Sequence, residues 1–278
     1  MKKFVLLFGS VLFGSALFSQ TLEQRAQPYL DSARAAGDAF VSVSSASGMP
    51  NLAADSLATA FGSNLAPRTE TGTAPYPTSL GGIGLQVVDS TGASRAAQLI
   101  YVSPTQINYL VPAGTAPGTA TMNIINGTGN VPSSTAQIQT VAPALFTANE
   151  NGQGVVAATA IRTIAPSTVG GPVRVYQCLD APGSCVSVPI DLGVDTPIFV
   201  TFFTSGLRGR SSDSAVTVTI GNQVLTVRSI APQDDSTALA GVDLVTVGLT
   251  LALRGSGEVD VVISVDGKTS NTGRINIR

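Results

Sequence analysis

The first limit on chemistry in this chain is a missing side chain: its 278 residues contain no histidine. The commonest general base near neutral pH, and the commonest nitrogen ligand for metals, is therefore absent. A Ser-His-Asp triad is excluded. A Ser-Lys dyad would have to use Lys268, because Lys2 and Lys3 stand at the extreme N-terminus. Lys268 follows Asp266-Gly267, a turn dipeptide, and reads as an exposed hairpin residue. Glu258 and Asp260 lie two apart on a predicted strand and so share a face. Val259 and Val261 take the other face, which makes the acidic pair the solvated side of a sheet. Asp234 and Asp235 fall in a loop, Pro232 to Ser236, and could help hold calcium, but the D-x-[DN]-x-[DN]-G spacing occurs nowhere. Gly81-Gly82-Ile83-Gly84 and Gly170-Gly171 read as turn glycines, since neither leads into a helix that could cradle phosphate. No catalytic, cofactor-binding or metal-ligating set is expected, and no cofactor.

Cys178 and Cys185 are the two cysteines. They flank a loop containing Ala181-Pro182-Gly183, with alternating arms on either side, the pattern of a hairpin that sets the two sulfurs opposite each other. A zinc site is disfavoured by the lack of histidine, and a redox pair by a spacing other than C-x-x-C. The expected outcome is a structural disulfide formed in an oxidising compartment, worth about 2–3 kcal/mol on the chain-entropy model for so short a loop. Sugar sites commonly stack on aromatic faces, but the chain has no tryptophan and five tyrosines. Tyr101 and Tyr109 bracket a turn and could form a small exposed platform; core or edge packing is the preferred reading.

Apolar residues make up 44% of the chain and charged residues 12%. Gly, Ser, Thr, Ala and Pro fill the difference, a composition suited to strands and tight turns. The net charge is −2, and loss of Lys2 and Lys3 with a cleaved leader takes it to −4. Arg208 and Arg210 form the only tight basic pair beyond the leader. Nucleic-acid binding, which draws on counterion release at a basic face, is not expected. Residues 1–19 carry a basic start, an apolar run from Phe4 to Phe18 and small residues at Gly14-Ser15-Ala16, the features of a cleaved signal peptide. The run is shorter than the ~20 apolar residues that span a bilayer. No later stretch is apolar enough to span one, so the mature chain is expected to lack a transmembrane segment.

The elements that would position these residues recur. Phe61-Gly62-Ser63-Asn64-Leu65 matches Phe203-Thr204-Ser205-Gly206-Leu207. Gln106 to Val111 parallels Leu244 to Leu249, and Asn126-Gly127 parallels Asp266-Gly267, all at an offset near 140 residues. A period that long is a duplicated domain rather than a solenoid unit of ~20–50 residues. Alternating apolar positions place Ala120, Met122 and Ile124 on one strand face, Val216, Val218 and Ile220 on another, and Val259, Val261, Ile263 and Val265 on a third. Charged residues 20–39 read as a lead-in with one helical turn from Leu30 to Ala36, Pro28 interrupting anything longer. Residues 40–142 form a first module, 143–192 an unrepeated strand-rich insert with the disulfide hairpin, and 193–278 a second module.

Several segments carry a family resemblance: Pro189 to Gly193, Phe203 to Ser211, Gly257 to Val262 and Val265 to Thr272. Together they resemble the Solibacter-type uncharacterised C-terminal domain of secreted proteins of Acidobacteria. Phe61 to Leu65, Tyr101 to Asn108 and Val111-Pro112 resemble it in the first half. Each half is also similar to the IPT/TIG immunoglobulin-like module. The resemblance implies an all-β fold of two Ig-like, early-set sandwiches joined by a hairpin-containing insert, and it implies no established activity. The expected protein is secreted, extracellular or at the cell surface, and non-enzymatic. It would act in adhesion or assembly, with binding of polysaccharide or cell-wall material as the alternative. Its partner would be an extracellular protein or polysaccharide.

Overall fold

A computed structural model describes residues 17–126, 132–163, 170–181, 183–194, 196–233 and 240–278, the side chains of 17–21 excepted. Most of the expected leader, residues 1–16, and Gly127, Pro182, Asp234 and Asp235 lie outside the described residues.

The chain enters through one helix, α1 (Leu17–Ala35). It runs through Pro28, so the expected single turn is too short. An interior proline costs a helix ~3 kcal/mol. Here Leu22, Ala26 and Leu30, spaced at four, bury against Val41, Val43 and Phe61. That tertiary burial outweighs local propensity. Pro28 itself stays on the exposed side.

The first sandwich comprises β1 (Phe40–Ser44), β2 (Asn51–Ala53), β3 (Leu57–Gly62), β4 (Glu70–Thr71), β5 (Ser79–Leu80), β6 (Ile83–Val88), β7 (Ser94–Ala96), β8 (Gln98–Val102), β9 (Gln106–Leu110), β10 (Gly118–Asn126) and β11 (Ser133–Gln139). One sheet runs β1-β3-β9-β8-β4; the other runs β2-β11-β10-β6-β5, with β7 beside β6. Its pairs are antiparallel except β11 with β2. The core between the sheets contains Leu85, Leu99, Ile107 and Tyr109, together with the expected inward face Ala120, Met122 and Ile124. β1 is buried on both faces. Phe40 belongs to the sandwich core, whereas Val41 and Val43 face the helix. Ser42 accepts a hydrogen bond from the Tyr109 hydroxyl at 2.9 Å inside the core.

The second unit comprises β12 (Ala144–Leu145), β13 (Ala158–Arg162), β14 (Pro172–Val173), β15 (Tyr176–Cys178), β16 (Cys185–Ser187), β17 (Ile198–Ser205), β18 (Val216–Ile220), β19 (Gln223–Pro232), β20 (Asp243–Gly248), β21 (Gly257–Val265), β22 (Lys268–Thr269) and β23 (Gly273–Ile277). Its ladder runs β14-β13-β17-β20-β19-β18-β21-β22, with β12 on β17 and β23 on β21. β19 serves both halves. Its start, up to Thr226, pairs β18; from Val227 on it pairs β20, with a bulge between Val227 and Ser229 just after the switch. A bulge bends and twists a strand, and the ladder folds over so that Val200, Phe202 and Val245 share a core with Val218, Val261 and Ile275. β12 and β13, from the unrepeated segment, hydrogen-bond to β17. β15 and β16 form a separate two-stranded ribbon. The all-β expectation holds: strands in two sandwich units carry the fold, and α1 packs on the outside of the first.

The matching segments occupy matching places. Phe61 on β3 pairs with Gln106 on β9, and Phe203 on β17 pairs with Leu244 on β20. Asn64 and Gly206, at the same step of the two segments, both take positive φ, 57° and 82°. Asn and Gly are the residues that tolerate this backbone region best. The leucines next in each segment, Leu65 and Leu207, are fully buried.

Candidate functional site: an interdomain cleft

Most of the residues with chemical potential are committed to structure. Cys178 and Cys185 are joined in a disulfide, directly opposite each other in the β15-β16 ribbon with Cα atoms 3.9 Å apart. Asn149 fastens this ribbon to the second sandwich. Its Nδ2 donates to the carbonyls of Gly183 at 2.9 Å and Cys185 at 3.0 Å, and its Oδ1 accepts from the Val155 amide at 2.8 Å. Next to it, Glu150 sits half-buried at φ 63°, and burial pushes its carboxyl up to about 7. Burial first, and the Glu150 charge second, push the Tyr176 phenol up.

Glu258 and Asp260 share an exposed face as expected, and both face Arg274, at 3.7 and 3.5 Å. Glu258 also accepts from the Ser187 hydroxyl at 2.7 Å, tying the ribbon to β21. Asp266 accepts from the Ser211 hydroxyl and from the Ser211 amide, the latter at 2.9 Å. These bonds hold its carboxyl below the usual range. Tyr109 is fully buried, so Tyr101 and Tyr109 do not form an exposed platform. Arg210 pairs with Asp213 at 2.7 Å. Arg208 pairs with the buried Asp243 at 3.1 Å and lies 3.9 Å from Asp55 of the first sandwich. Among the described residues, no group of three or more His, Cys, Asp and Glu is placed to hold a metal.

The two units meet over an apolar patch that pattern reading missed. Leu57, Ile100 and Leu110 of the first pack with Phe146, Phe203 and Val242 of the second. Ser205 stitches the seam, accepting from the Leu57 amide at 3.0 Å and donating to the Gly241 carbonyl at 2.8 Å. The positions come from several strands, β3, β8, β9 and β17, and from the loops beside β12 and β20. Only the sheet order brings them together, so no periodicity within one segment could have marked them.

A cleft of about 390 Å³ opens where α1 and the two units converge. Arg25 enters from the helix, Ser47, Met49 and Asn51 from the β1-β2 connection and β2, and Gln139 from the end of β11. The second unit contributes Gly267 of the β21-β22 turn, Lys268 and Thr269 of β22, and then Ser270 and Asn271. Asn271 is structural: it binds both backbone groups of Leu145 and the Gly152 carbonyl, at 2.8–2.9 Å. Gln139 Nε2 donates to Asn51 Oδ1 at 3.1 Å. The Arg25 Nε is buried without a hydrogen-bond partner among the described residues. Lys268, expected to be an exposed hairpin residue, is exposed and stands on the rim of this cleft.

Fold and cleft together define an all-β protein of two abutting sandwiches. No family profile and no curated protein matches the chain. Among solved structures it is similar at 13% identity to SGBP-B of the Bacteroides ovatus mixed-linkage glucan utilization locus, solved with a mixed-linkage heptasaccharide; the match covers 82% of this chain and 44% of that one, with a TM-score of 0.33. It is also similar at 13% identity to murine CEACAM1b, over 82% of this chain and 96% of that one, with a TM-score of 0.20. Among the described residues, no helix is long and apolar enough to cross a membrane.

Proposed function

We propose that the chain is an exported, non-enzymatic pair of Ig-like sandwiches, arisen by duplication, that works outside the cell or at its surface in adhesion or assembly. The observation that carries this reading is the buried apolar seam around Phe203, Leu57 and Val242. Burying such side chains is worth ~1.5–3 kcal/mol each, enough to make two sandwiches one rigid unit rather than two tethered ones. A rigid pair presents the loops and cleft of both units in fixed relation, which is what a docking element requires. Glu258, Asp260, Asp266, Arg208 and Arg210 serve internal ion pairs and hydrogen bonds instead of converging on a reacting centre. The disulfide supports export, since such bonds persist in oxidising compartments. Affinity capture by the purified mature protein from the producer's own envelope and secreted fraction tests the reading. Stoichiometric recovery of a defined protein partner is expected. Substrate turnover that disappears on substituting one Asp or Ser would overturn it.

The second reading, a module for polysaccharide or cell-wall material, is favoured by the cleft itself. Its amide, hydroxyl and cationic lining between the two units is chemistry suited to a polyhydroxyl chain. Binding to isolated cell-wall material and a glycan array distinguishes the two. Retention on glycans with no captured protein supports the second reading over the first.

A further inference from the structure

Among the described residues, two cations line the cleft and no carboxylate does. Neither the Arg25 nor the Lys268 side chain has a hydrogen-bond or ion-pair partner among them. Elsewhere in the molecule, Arg68, Arg95, Arg208, Arg210, Arg274 and Arg278 each face an acidic side chain. The nearest acid in sequence to Lys268, Asp266, is occupied by Ser211. A buried guanidinium donor without an acceptor is costly, because its lost hydration is not replaced. An anion in the cleft would instead meet the outer nitrogens of the Arg25 guanidinium and the Lys268 ammonium, through charge-assisted bonds that offset this cost. This positive lining stands in a chain whose net charge is −2, so it does not follow from a generally basic surface.

Resting on the polysaccharide-binding reading, we infer that the cleft is an anion-recognising site for an acidic polysaccharide, a polymer carrying carboxylates on its sugar units. Arg25 and Lys268 take the carboxylate. The Gln139 to Asn51 hydrogen bond leaves one amide oxygen and one amide nitrogen without partners among the described residues. These two atoms, with the Thr269 hydroxyl, can exchange hydrogen bonds with sugar hydroxyls. The apolar lining is confined to Met49, Ala142 and Pro143, which leaves little for the side chains of a peptide. The volume, about 390 Å³, lies within the ~300–1,000 Å³ usual for ligand sites.

Calorimetric titration of the full mature chain with polygalacturonate, its fully methyl-esterified form, a neutral β-glucan and polyglutamate tests this. Polygalacturonate is expected to bind, and the ester at least roughly tenfold more weakly, as befits loss of a charge-assisted contact. Added salt should weaken binding by screening. Arg25→Gln and Lys268→Gln should each weaken it roughly tenfold. Arg25 packs its stem against Gly48, so Lys268→Gln, at an exposed position, keeps the test valid should the Arg25 variant fold poorly. Binding of the ester and the glucan as tight as that of polygalacturonate, unmoved by either substitution, would overturn the anion site and leave the polysaccharide reading standing. Binding of polyglutamate in place of polygalacturonate would overturn the saccharide class in favour of an acidic peptide. Failure of every polymer to bind would sink both the inference and the reading beneath it.

Discussion

The Arg208 guanidinium lies 3.1 Å from an Asp243 carboxylate that is fully buried, and reaches toward Asp55 across the seam at 3.9 Å. Burial raises the Asp243 pKa, and the positive charge of Arg208 opposes that rise. The pair thus sits where the second sandwich meets the first, with Arg208 also donating to the Gln233 carbonyl. Removing one partner of a buried pair leaves an uncompensated charge, at ~3–5 kcal/mol. Arg208→Met is expected to lose roughly that much stability in urea denaturation at pH 7. The loss should shrink in acid. A carboxyl with a raised folded pKa favours the folded state while protonated and penalises it as pH rises, so the variant should approach the parent below about pH 4. A double variant, Arg208→Met with Asp243→Leu, should recover part of the loss.

Gly241 stands at the seam with φ 78°, and a Cβ there would lie 2.4 Å from Leu110 Cδ2 and 2.9 Å from Leu57 Cγ. Both neighbours belong to the buried interface cluster. Gly241→Ala should therefore cost more than the ~1 kcal/mol of an unfavourable backbone alone, and ~1–3 kcal/mol more from overpacking. In scanning calorimetry the parent is expected to unfold in a single transition and the variant in two, as the units uncouple. A single transition with an unchanged midpoint would refute the seam as the coupling element.

Glu150 offers a pH signature. Its folded carboxyl is raised to about 7 by burial, so it favours the folded state below its ordinary pKa and penalises it as pH climbs from about 4.5 through 7. Glu150→Gln should raise the melting temperature at pH 8 and leave it unchanged at pH 4. Because the side chain is half exposed, solvent screening limits the gain to about 1 kcal/mol. A gain that is equal at both pH values would point to packing instead.

Cys178 and Cys185 close a loop with a sequence separation of seven. Replacing both by Ser should cost about 2–3 kcal/mol at most, less where the Asn149 bonds keep the ribbon attached. Hydrogen exchange should localise the loss to residues 176–187, with the seam and both cores still protected. Peptide mapping under non-reducing conditions should find the two cysteines linked.

Some of this protein could be derived from its residues alone. The alternation in Ala120, Met122 and Ile124 and in Val216, Val218 and Ile220 fixed which faces are buried, because a strand's side chains alternate with a period of two. The segments Phe61 to Leu65 and Phe203 to Leu207 could be matched by their residues, and the structure gives both Asn64 and Gly206 a positive φ. The cysteine spacing carried its own hairpin. Longer-range relationships were different. Val41 and Val43 have the spacing of a sandwich core, yet face a helix, because α1 covers that sheet and turns both faces of β1 inward. Pro28 discourages a helix locally, and burial of Leu22, Ala26 and Leu30 overrides it. The partnering of Arg208 with Asp243, and the shared cleft that Arg25 and Lys268 line, bring together residues 35 and 243 positions apart. Local periodicity determines which way a side chain points; which distant side chain it meets is decided only when the sheets stack, because that encounter depends on the register and packing of strands far apart in the chain.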